Sequence, residues 1–454
     1  MSHRAVFVGI FFIVIFSSTG LCLAGGDRVI LGDPSAVTKE WLVGDVLVTD
    51  PIRSEVKPSM TAAPNGDLYV AVEDQGSAFI RVYRSTNGGH SWNLIISVSS
   101  NDEARNPSIA YGEHTNGEKW IYVAYEAVTT ADDTRSVMVF RLASDVGAWD
   151  WTTVAGPFIM AGAADEVHPQ ITTDWSTFGD SYYMYLTWAA WAIDYYPVFS
   201  SRTTDRGVTW LASLNVTGGS ENTAWATRPE IAFGSSGLFI AFVKPGWNGA
   251  SWTNQIWVTE SNNFGAAFST PIQVTDTASN KFHPAVAAAY DVSSIVVAYT
   301  GDLGDLDVRF VTSTDGGANW GGGGSFNGWT LNEESAVDLA VSNSGGQFHA
   351  AYHHELTAGG DNQTWYSSMS TASPTTWSAP QVINDGNSAS GLGFYPRPTI
   401  TVNPAMPAAE EAAVAWADFR GGGNYEVYFD SAGLAIFSDD FESGDTTRWS
   451  ATIP

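Results

Sequence analysis

A pattern that recurs seven times is the feature that most constrains the fold of this chain. Each copy is a proline followed two residues later by an apolar residue, and then, after a short turn, by an aliphatic-aromatic run. The copies start 49, 62, 60, 55, 53 and 61 residues apart, at Pro58, Pro107, Pro169, Pro229, Pro284, Val337 and Pro398, and Val337 stands in for the proline in the sixth copy. Tandem units of this length, made of short strands, are typical of β-propeller blades.

A second pattern lies between the copies and predicts a tight turn followed by an aromatic anchor. In Ser313–Trp320, Asp315 can accept backbone hydrogen bonds, two glycines supply positive φ, and Trp320 opens the next strand with a ring to bury. Good copies are Ser85–Trp92 and Thr203–Trp210, and weaker ones start at Ser144, Ser261 and Ser370. The residues predicted to hold these turns are Asn87, Trp92, Asp205, Trp210, Asp315 and Trp320.

The two patterns together predict four antiparallel strands per repeat. Strand a follows the proline, strand b is the aliphatic-aromatic run, and strands c and d flank the turn. The seventh repeat has a strand c at Tyr425–Phe429 but no strand d after it. We expect Trp41–Val48 to supply that strand, because closing the ring removes an exposed edge. The sequence thus predicts an all-β propeller over 41–432, with seven blades favoured and six as the alternative.

The turns resemble the Asp-box repeat, Ser-x-Asp-x-Gly-x-Thr-Trp, of sialidase-like β-propellers, also called the bacterial neuraminidase repeat. The resemblance covers most of 40–430 and implies a propeller whose Asp boxes lie far from the active site. Sialidases grip a carboxylate with three arginines and use a Tyr–Glu nucleophile pair and an Asp acid. Their first arginine lies in Arg-Ile-Pro, where this chain has Val56-Lys57-Pro58, and spacing assigns no Tyr–Glu pair here.

The ends of the chain and its charge indicate an exported protein. Residues 1–24 resemble a secretory signal peptide, 25–40 form a lead-in, and 433–454 form an acidic tail. We expect a secreted or extracellular protein, or a periplasmic one if the host is Gram-negative. The one cysteine, Cys22, leaves the mature chain without disulfides. A net charge of −28 argues against nucleic acid and anionic membranes as partners, and we expect a monomer without membrane insertion.

The residue before each repeat proline predicts a functional site. Five of the seven positions carry Lys, Arg or His: in order, Lys57, Asn106, His168, Arg228, His283, Ala336 and Arg397. Because strand a is innermost, these side chains should meet at the mouth of the central channel and attract an anionic group such as a carboxylate. The candidate ligand-binding residues are Lys57, Arg105, His168, Arg228, His283 and Arg397. In the alternative, the cations pair with carboxylates that follow strand b, such as Glu73, Asp74, Glu126 or Asp418, and only hold blades together.

These observations favour a propeller that binds a glycan or another anionic ligand at its channel mouth. An exo-sialidase-type glycoside hydrolase and a protein-interaction scaffold are the alternatives, and fold class does not separate them. We expect no cofactor and no metal, because neighbouring His353 and His354 should point to opposite faces and no pair has metal-ligand spacing. Exposed tryptophans such as Trp191, Trp247 or Trp252 could stack on sugar rings, although blade packing should account for most of the nineteen.

Overall fold

The computed structural model describes twenty segments of the chain, with the backbone alone at 40, 134, 151–160 and 433. They are 40–41, 44–99, 103–114, 117–129, 131, 134–143, 151–160, 167–174, 183–190, 197–218, 228–247, 249–276, 278–302, 304–326, 333–342, 346–355, 362–385, 397–406, 411–420 and 423–433. The predicted signal peptide, most of the lead-in and tail, the turn copy at Ser144 and Trp191 lie outside these segments.

The described residues form seven antiparallel sheets, which we number as blades 1 to 7 in chain order. The innermost strands, a, are Glu55–Ala62, Glu103–Glu113, Gln170–Thr173, Glu230–Gly234, Lys281–Ala288, Glu334–Val341 and Thr399–Val402. Strands b are Leu68–Asp74, Lys119–Thr129, Met184–Ala189, Gly237–Trp247, Ile295–Asp302, Gln347–Glu355 and Ala412–Asp418. Strands c are Phe79–Ser85, Thr134–Ala143, Val198–Thr203, Trp252–Ser261, Leu306–Ser313, Asn362–Ser370 and Glu426–Gly433. Strands d of blades 1 to 6 are Asn93–Ser99, Trp151–Met160, Leu214–Asn215, Ile272–Gln273, Gly321–Ser325 and Gln381–Val382.

The start of the described chain completes blade 7, which confirms the predicted closure. Two short strands, Glu40–Trp41 and Val46–Leu47, pair antiparallel with Glu426–Gly433. The backbone N–H of Val48 adds a hydrogen bond to the carbonyl of Val427, at 2.8 Å. The predicted single strand is therefore two short strands.

The cores lie between blades, and their number excludes the six-blade alternative. Seven clusters of buried apolar side chains are present among the described residues, and each joins strands of two neighbouring blades. The cluster between blades 7 and 1 combines Val48 from the closing segment with Met60, Val70 and Phe429. A ring of seven blades has seven junctions, so every junction has its own core.

Four turns between strands c and d share one hydrogen-bond arrangement, which we call the c–d turn. In the turn at Ser313, the Ser313 hydroxyl accepts from the N–H of Gly317 at 2.9 Å, and Asp315 Oδ1 accepts from the N–H of Asn319 at 2.9 Å. The Asp315 carboxylate thus reaches four residues along the chain. The turns at Ser85, Thr203 and Ser261 repeat both contacts at 2.8–3.0 Å.

The three predicted tryptophan anchors are half-buried and pack at blade junctions. Trp92, Trp210 and Trp320 contact the cores between blades 7 and 1, 2 and 3, and 4 and 5. The ring of Trp92 meets that of Phe429 edge-on at 5.1 Å between centroids. A purely structural role for these turns stays a prediction.

Strand alternation sorts the connections onto two faces of the propeller. The start of strand a and the end of strand b lie on one face, which we call the mouth face, and the c–d turns lie on the other. Side chains at the start of strand a are therefore held far from the turns.

Candidate functional site

The residue before the repeat proline has an unusual backbone in five blades. Its φ is positive at Lys57, Asn106, His168, His283 and Ala336, between 44° and 55°. In blades 1, 2, 5 and 6 the pairing of strands a and b also shifts register at this point, as in a β-bulge. Non-glycine residues seldom adopt this region, but Asn and His do so more readily than most. Part of the histidine excess before the prolines is thus explained by the backbone.

Side chains from six innermost strands enclose a cavity of about 90 Å³ at the mouth face. It is lined by the prolines of four blades and by side chains immediately before and after the repeat prolines. The charged and imidazole groups in its lining are Lys57, His168, Arg228, Glu230, Asp338 and Arg397. The cavity lining therefore has three permanent cations and two carboxyl groups. The channel mouth is less positively charged than the sequence predicts.

Two of the six predicted ligand-binding residues do not line this cavity. Arg105 is one-third exposed and pairs with Glu103. The pKa of His283 falls to about 3, first because the imidazole is buried and then because of the charges of Arg228, Arg397 and His168. His283 is therefore neutral at physiological pH, and its buried Nδ1 has no hydrogen-bond partner among the described residues.

The predicted alternative, in which the cations pair with carboxylates that follow strand b, is correct for Lys57. Lys57 Nζ lies 3.2 Å from Glu73 Oε2 and 2.7 Å from Asn106 Oδ1. Asn106 Nδ2 in turn donates to Glu126 Oε2 at 2.8 Å. Lys57 is therefore neutralised by Glu73 of its own blade, and its contact with Asn106 links blades 1 and 2.

The other two named carboxylates pair away from the ring. Asp74 accepts from Arg81 Nε at 2.9 Å. Asp418 accepts from Arg420 Nε at 2.7 Å, within the turn that follows its strand. Neither contact involves a residue that precedes a repeat proline.

Arg397 of blade 7, next to blade 1, is held between two carboxyl groups, and one of them belongs to blade 4. Its Nη1 lies 2.5 Å from Glu230 Oε1, and its Nη2 lies 3.9 Å from Asp338 Oδ1. Gln170 Nε2 also approaches Glu230 Oε1, at 3.4 Å. Burial, with help from Asp338, raises the pKa of Glu230 to about 7, although Arg397 and Arg228 oppose the rise. The cavity thus holds a carboxyl group that can exchange a proton near neutral pH.

The prediction from the sequence missed Glu230 and Asp338, which occupy the position after the repeat proline or its equivalent. At four blade junctions the side chain at this position accepts a hydrogen bond from a backbone N–H of the next blade, and we call these contacts the inner belt. They are Thr399 with Met60 at 3.2 Å, Ser59 with Ile109 at 3.2 Å, Ser108 with Ile171 at 3.1 Å, and Asp338 with Ile400 at 3.0 Å. The signal was available, because this position is polar in six of the seven repeats.

Three tyrosine–glutamate hydrogen bonds are present among the described residues, Tyr83 with Glu55, Tyr111 with Glu113 and Tyr428 with Glu426, and none of these residues lines the mouth cavity. In the most deeply buried pair, the surroundings do not suit a nucleophile. Tyr83 Oη donates to Glu55 Oε1 at 2.8 Å, and both side chains are buried. Burial first, and then the Glu55 carboxylate, raise the pKa of Tyr83. A nucleophilic tyrosine needs the opposite shift. Tyr83 packs in the core between blades 7 and 1 and does not line the mouth cavity.

The described residues contain no group of three or more His, Cys, Asp or Glu side chains placed to hold a metal ion. His354 Nδ1 contacts Glu334 Oε1 at 2.9 Å, and its ring stacks on Trp365. Burial lowers the pKa of His353 to about 4. Within the described segments there is also no helix long and apolar enough to cross a membrane.

Comparisons with known proteins support the fold. No protein-family model and no curated protein matches the sequence. Among solved structures, the chain is similar to a PL25 ulvan lyase bound to -[GlcA(1-4)Rha3S]-, with a TM-score of 0.56 and 11% identity over 87% of this chain and 96% of that one. The polysaccharide lyase Uly1 has a TM-score of 0.53 and 9% identity over 87% and 100%. The Hadza microbial sialidase Hz136 has a TM-score of 0.41 and 11% identity over 66% and 63%.

The raised pKa of Glu230 predicts a pH-dependent contribution to stability. The folded protein keeps this proton up to about pH 7, whereas the unfolded chain loses it near 4.5. The folded state therefore binds more protons in this window, and stability falls as the pH rises through it. Glu230→Gln removes the titration, so its melting temperature relative to wild type should rise from pH 5 to pH 8. Thermal unfolding across this range, with Glu103→Gln as control, tests this; equal pH profiles for wild type and Glu230→Gln would contradict it.

Proposed function

We propose that this protein is exported and binds an acidic glycan at the mouth of its central channel. The observation that carries the proposal is that Arg228 and Arg397, from blades 4 and 7, line one cavity in a chain with a net charge of −28. A guanidinium group forms two parallel hydrogen bonds with a carboxylate, which suits the acid group of a uronic or sialic acid. Lys57 has a smaller role, because Glu73 already neutralises it.

The ligand carboxylate would take over the contact that Glu230 makes with Arg397. Because Glu230 titrates near neutral pH, it can accept a proton and release the guanidinium group at modest cost. Asp338 lies at 3.9 Å from the same arginine and keeps the side chain oriented during the exchange. His168 and Gln170, which also line the cavity, offer hydrogen-bond donors to hydroxyl groups of the sugar.

The similar folds support a glycan ligand by analogy. Two polysaccharide lyases share this architecture at TM-scores of 0.56 and 0.53, and one of them holds a glucuronate-containing fragment. We also infer that the c–d turns are Asp-box repeats of the sialidase-like type, because four of them share the same hydroxyl and carboxyl or amide contacts. Function depends on the site, so this analogy only narrows the ligand class.

Glycan cleavage is the second candidate, and Glu230 is the residue that favours it. A carboxyl group with a pKa of about 7 can donate or accept a proton at neutral pH, as general acid–base catalysis requires. A sialidase mechanism is less well supported, because no tyrosine lines the mouth cavity. We therefore expect no release of the fluorophore from a fluorogenic sialoside.

Binding to a glycan array tests the proposal. The array should carry sialosides, oligogalacturonides and ulvan fragments, and we expect binding to at least one acidic series. Arg228→Ala and Arg397→Ala should each weaken binding about tenfold or more, because each loses a charge-assisted contact. Lys57→Ala should have a milder effect, and none of the three should unfold the protein. Arg105→Ala is the matched control, because Arg105 pairs with Glu103 and does not line the cavity, so its loss should leave binding unchanged.

Two outcomes would overturn the proposal. The first is an absence of glycan binding combined with loss of the fold in either arginine variant, which would make the ring an inter-blade ion-pair network. The second is rapid sialoside turnover that disappears in Arg228→Ala, which would make the protein a hydrolase.

A further inference from the structure

Strand b of blade 4 extends further past the channel mouth than the described strand b of any other blade. Glu230, in the cavity, pairs with Ala241, and strand b continues six residues beyond that level to Trp247. In the other six blades the described strand b continues two to five residues beyond the equivalent pair. Six residues of extended chain span about 20 Å. The tip of the hairpin between strands b and c thus lies well beyond the cavity on the mouth face.

Two tryptophans form the tip of this hairpin. Trp247 and Trp252 are paired across the two strands, with ring centroids 5.5 Å apart and planes at 58°. Their side chains are 53% and 67% exposed, whereas every other tryptophan whose burial the structure describes is buried or half-buried. Within the described segments, an exposed pair of indoles on the face that holds the candidate site is therefore found at this hairpin alone.

The hairpin is held together mainly by contacts other than the one between Trp247 and Trp252. Its backbone pairing is continuous from Leu238 with Ser261 to Trp247 with Trp252. Lower in the hairpin, Trp257 donates from Nε1 to the carbonyl of Lys244 at 3.1 Å, and the Lys244 ammonium lies 4.8 Å from its ring centre. A cross-strand aromatic pair adds only about 0.2–1 kcal/mol to such a ladder.

The sequence at the tip of the hairpin is polar but uncharged. From Pro245 to Thr259 it contains no Asp, Glu, Lys or Arg, in a chain whose net charge is −28. Ser251, Thr253 and Asn254 flank Trp252 and supply hydroxyl and amide groups that are exposed or half-buried, whereas Gln255 is buried. Attraction to an anionic membrane would need basic residues here, and none is present in this stretch. Indole faces flanked by amides and hydroxyls suit a neutral ligand with an apolar face and many hydroxyl groups.

We propose that Trp247 and Trp252 form an outer subsite that stacks against a sugar ring of the same glycan whose acidic unit enters the mouth cavity. A pyranose ring has a face of C–H groups that packs on an aromatic ring, while its hydroxyl groups remain free for the neighbouring amides. This inference rests on the proposed glycan-binding function and extends it: the ligand is an oligosaccharide or polysaccharide long enough to reach from the cavity to the hairpin tip. A single acidic sugar would fill the cavity alone.

The test measures affinity as a function of ligand length. The probes are oligogalacturonides and ulvan fragments from the disaccharide to the octasaccharide, titrated by calorimetry and by tryptophan fluorescence. For wild type, affinity should increase with length and indole emission should change only with the longer probes. The double variant Trp247→Ala/Trp252→Ala should bind the octasaccharide about tenfold more weakly and the disaccharide as wild type does.

Two controls separate stacking from a structural role. Trp247→Phe/Trp252→Phe retains flat rings and should recover most of the affinity for the octasaccharide. Ile52→Ala removes another exposed apolar side chain, 76% exposed, and should change nothing. If the alanine variant melts at a lower temperature, the phenylalanine variant still decides between the two roles.

The failures of the two proposals give different results. If the arginine variants lose binding while the alanine double variant keeps the full length dependence, the outer subsite is wrong and the mouth site stands. If the alanine double variant loses binding but Arg228→Ala and Arg397→Ala do not, the proposed mouth site is wrong and the outer subsite is supported. If no probe binds wild type, both are overturned.

Discussion

Replacing Gly89 with alanine is expected to destabilise the propeller by about 3 kcal/mol or more, because the new methyl group has no room and the backbone is strained. Gly89 lies in the c–d turn of blade 1 with φ +98°, and a Cβ there would lie 1.9 Å from Cε1 of Phe429 in blade 7. Relief would require the ring of Phe429, which is fully buried in the core between the two blades, to move.

The neighbouring residue is a matched control for this substitution. Gly88 also has a positive φ, +69°, but a Cβ there would meet no heavy atom within 4 Å. Gly88→Ala should therefore cost only about 1 kcal/mol, from backbone strain alone. Chemical denaturation of both variants measures the difference. Equal losses of stability would show that the close approach of Gly89 to Phe429 does not matter.

Removing the closing strand should have the second large effect. A chain that starts at Thr49 lacks Glu40–Trp41 and Val46–Leu47, so strand c of blade 7, Glu426–Gly433, becomes an exposed edge. It also loses Val48 from the core between blades 7 and 1 and the contact of Arg420 with Asp45. An unpaired edge of this length is a template for aggregation. We expect an aggregated or unfolded product by size-exclusion chromatography and light scattering.

A chain that starts at Glu40 is the control, since it retains both short strands. It should elute and melt as the full-length protein does. The closure interpretation fails if the chain from Thr49 is monomeric and melts at an unchanged temperature.

The sequence was sufficient to predict the architecture because the propeller repeats its local chemistry seven times. Each proline copy begins an innermost strand and each Ser-x-Asp-type turn ends a strand c, so errors in one repeat are corrected by the others. The missing strand d after Tyr425 could be assigned to Trp41–Val48 by counting alone. The strand is interrupted at Gly44, whose φ is +94°, but a single glycine in a strand pattern does not distinguish a break from a bulge.

The site was less accessible to sequence reasoning, for a physical reason. Charge composition before the prolines predicted a cationic ring, but the ion pairs depend on strand register within a blade and on contacts between blades that are distant in the chain. Glu73 pairs with Lys57 within blade 1, across a register shift, and Glu230 of blade 4 reaches Arg397 of blade 7 over 167 positions. The positive φ at His168 and His283 also favours histidine without any ligand. Exposure of Trp247 and Trp252 depends on hairpin length relative to the other blades, which periodicity does not encode.

The inner belt runs around only part of the channel wall, so the blades differ in how they are joined to the next one. Its four hydrogen bonds join blades 6, 7, 1, 2 and 3 in succession. In blades 3, 4 and 5 the equivalent residues are Gln170, Glu230 and Ala285. Gln170 contacts Glu230, Glu230 contacts Arg397, and the alanine side chain has no acceptor. The belt hydrogen bonds therefore fix the spacing of blades 6, 7, 1, 2 and 3, whereas in the described part of the chain the equivalent side chains of blades 3, 4 and 5 make no such bond to the next blade. These side chains can be substituted during evolution, and new ligand preferences acquired, without loss of the hydrogen bonds that hold the ring together.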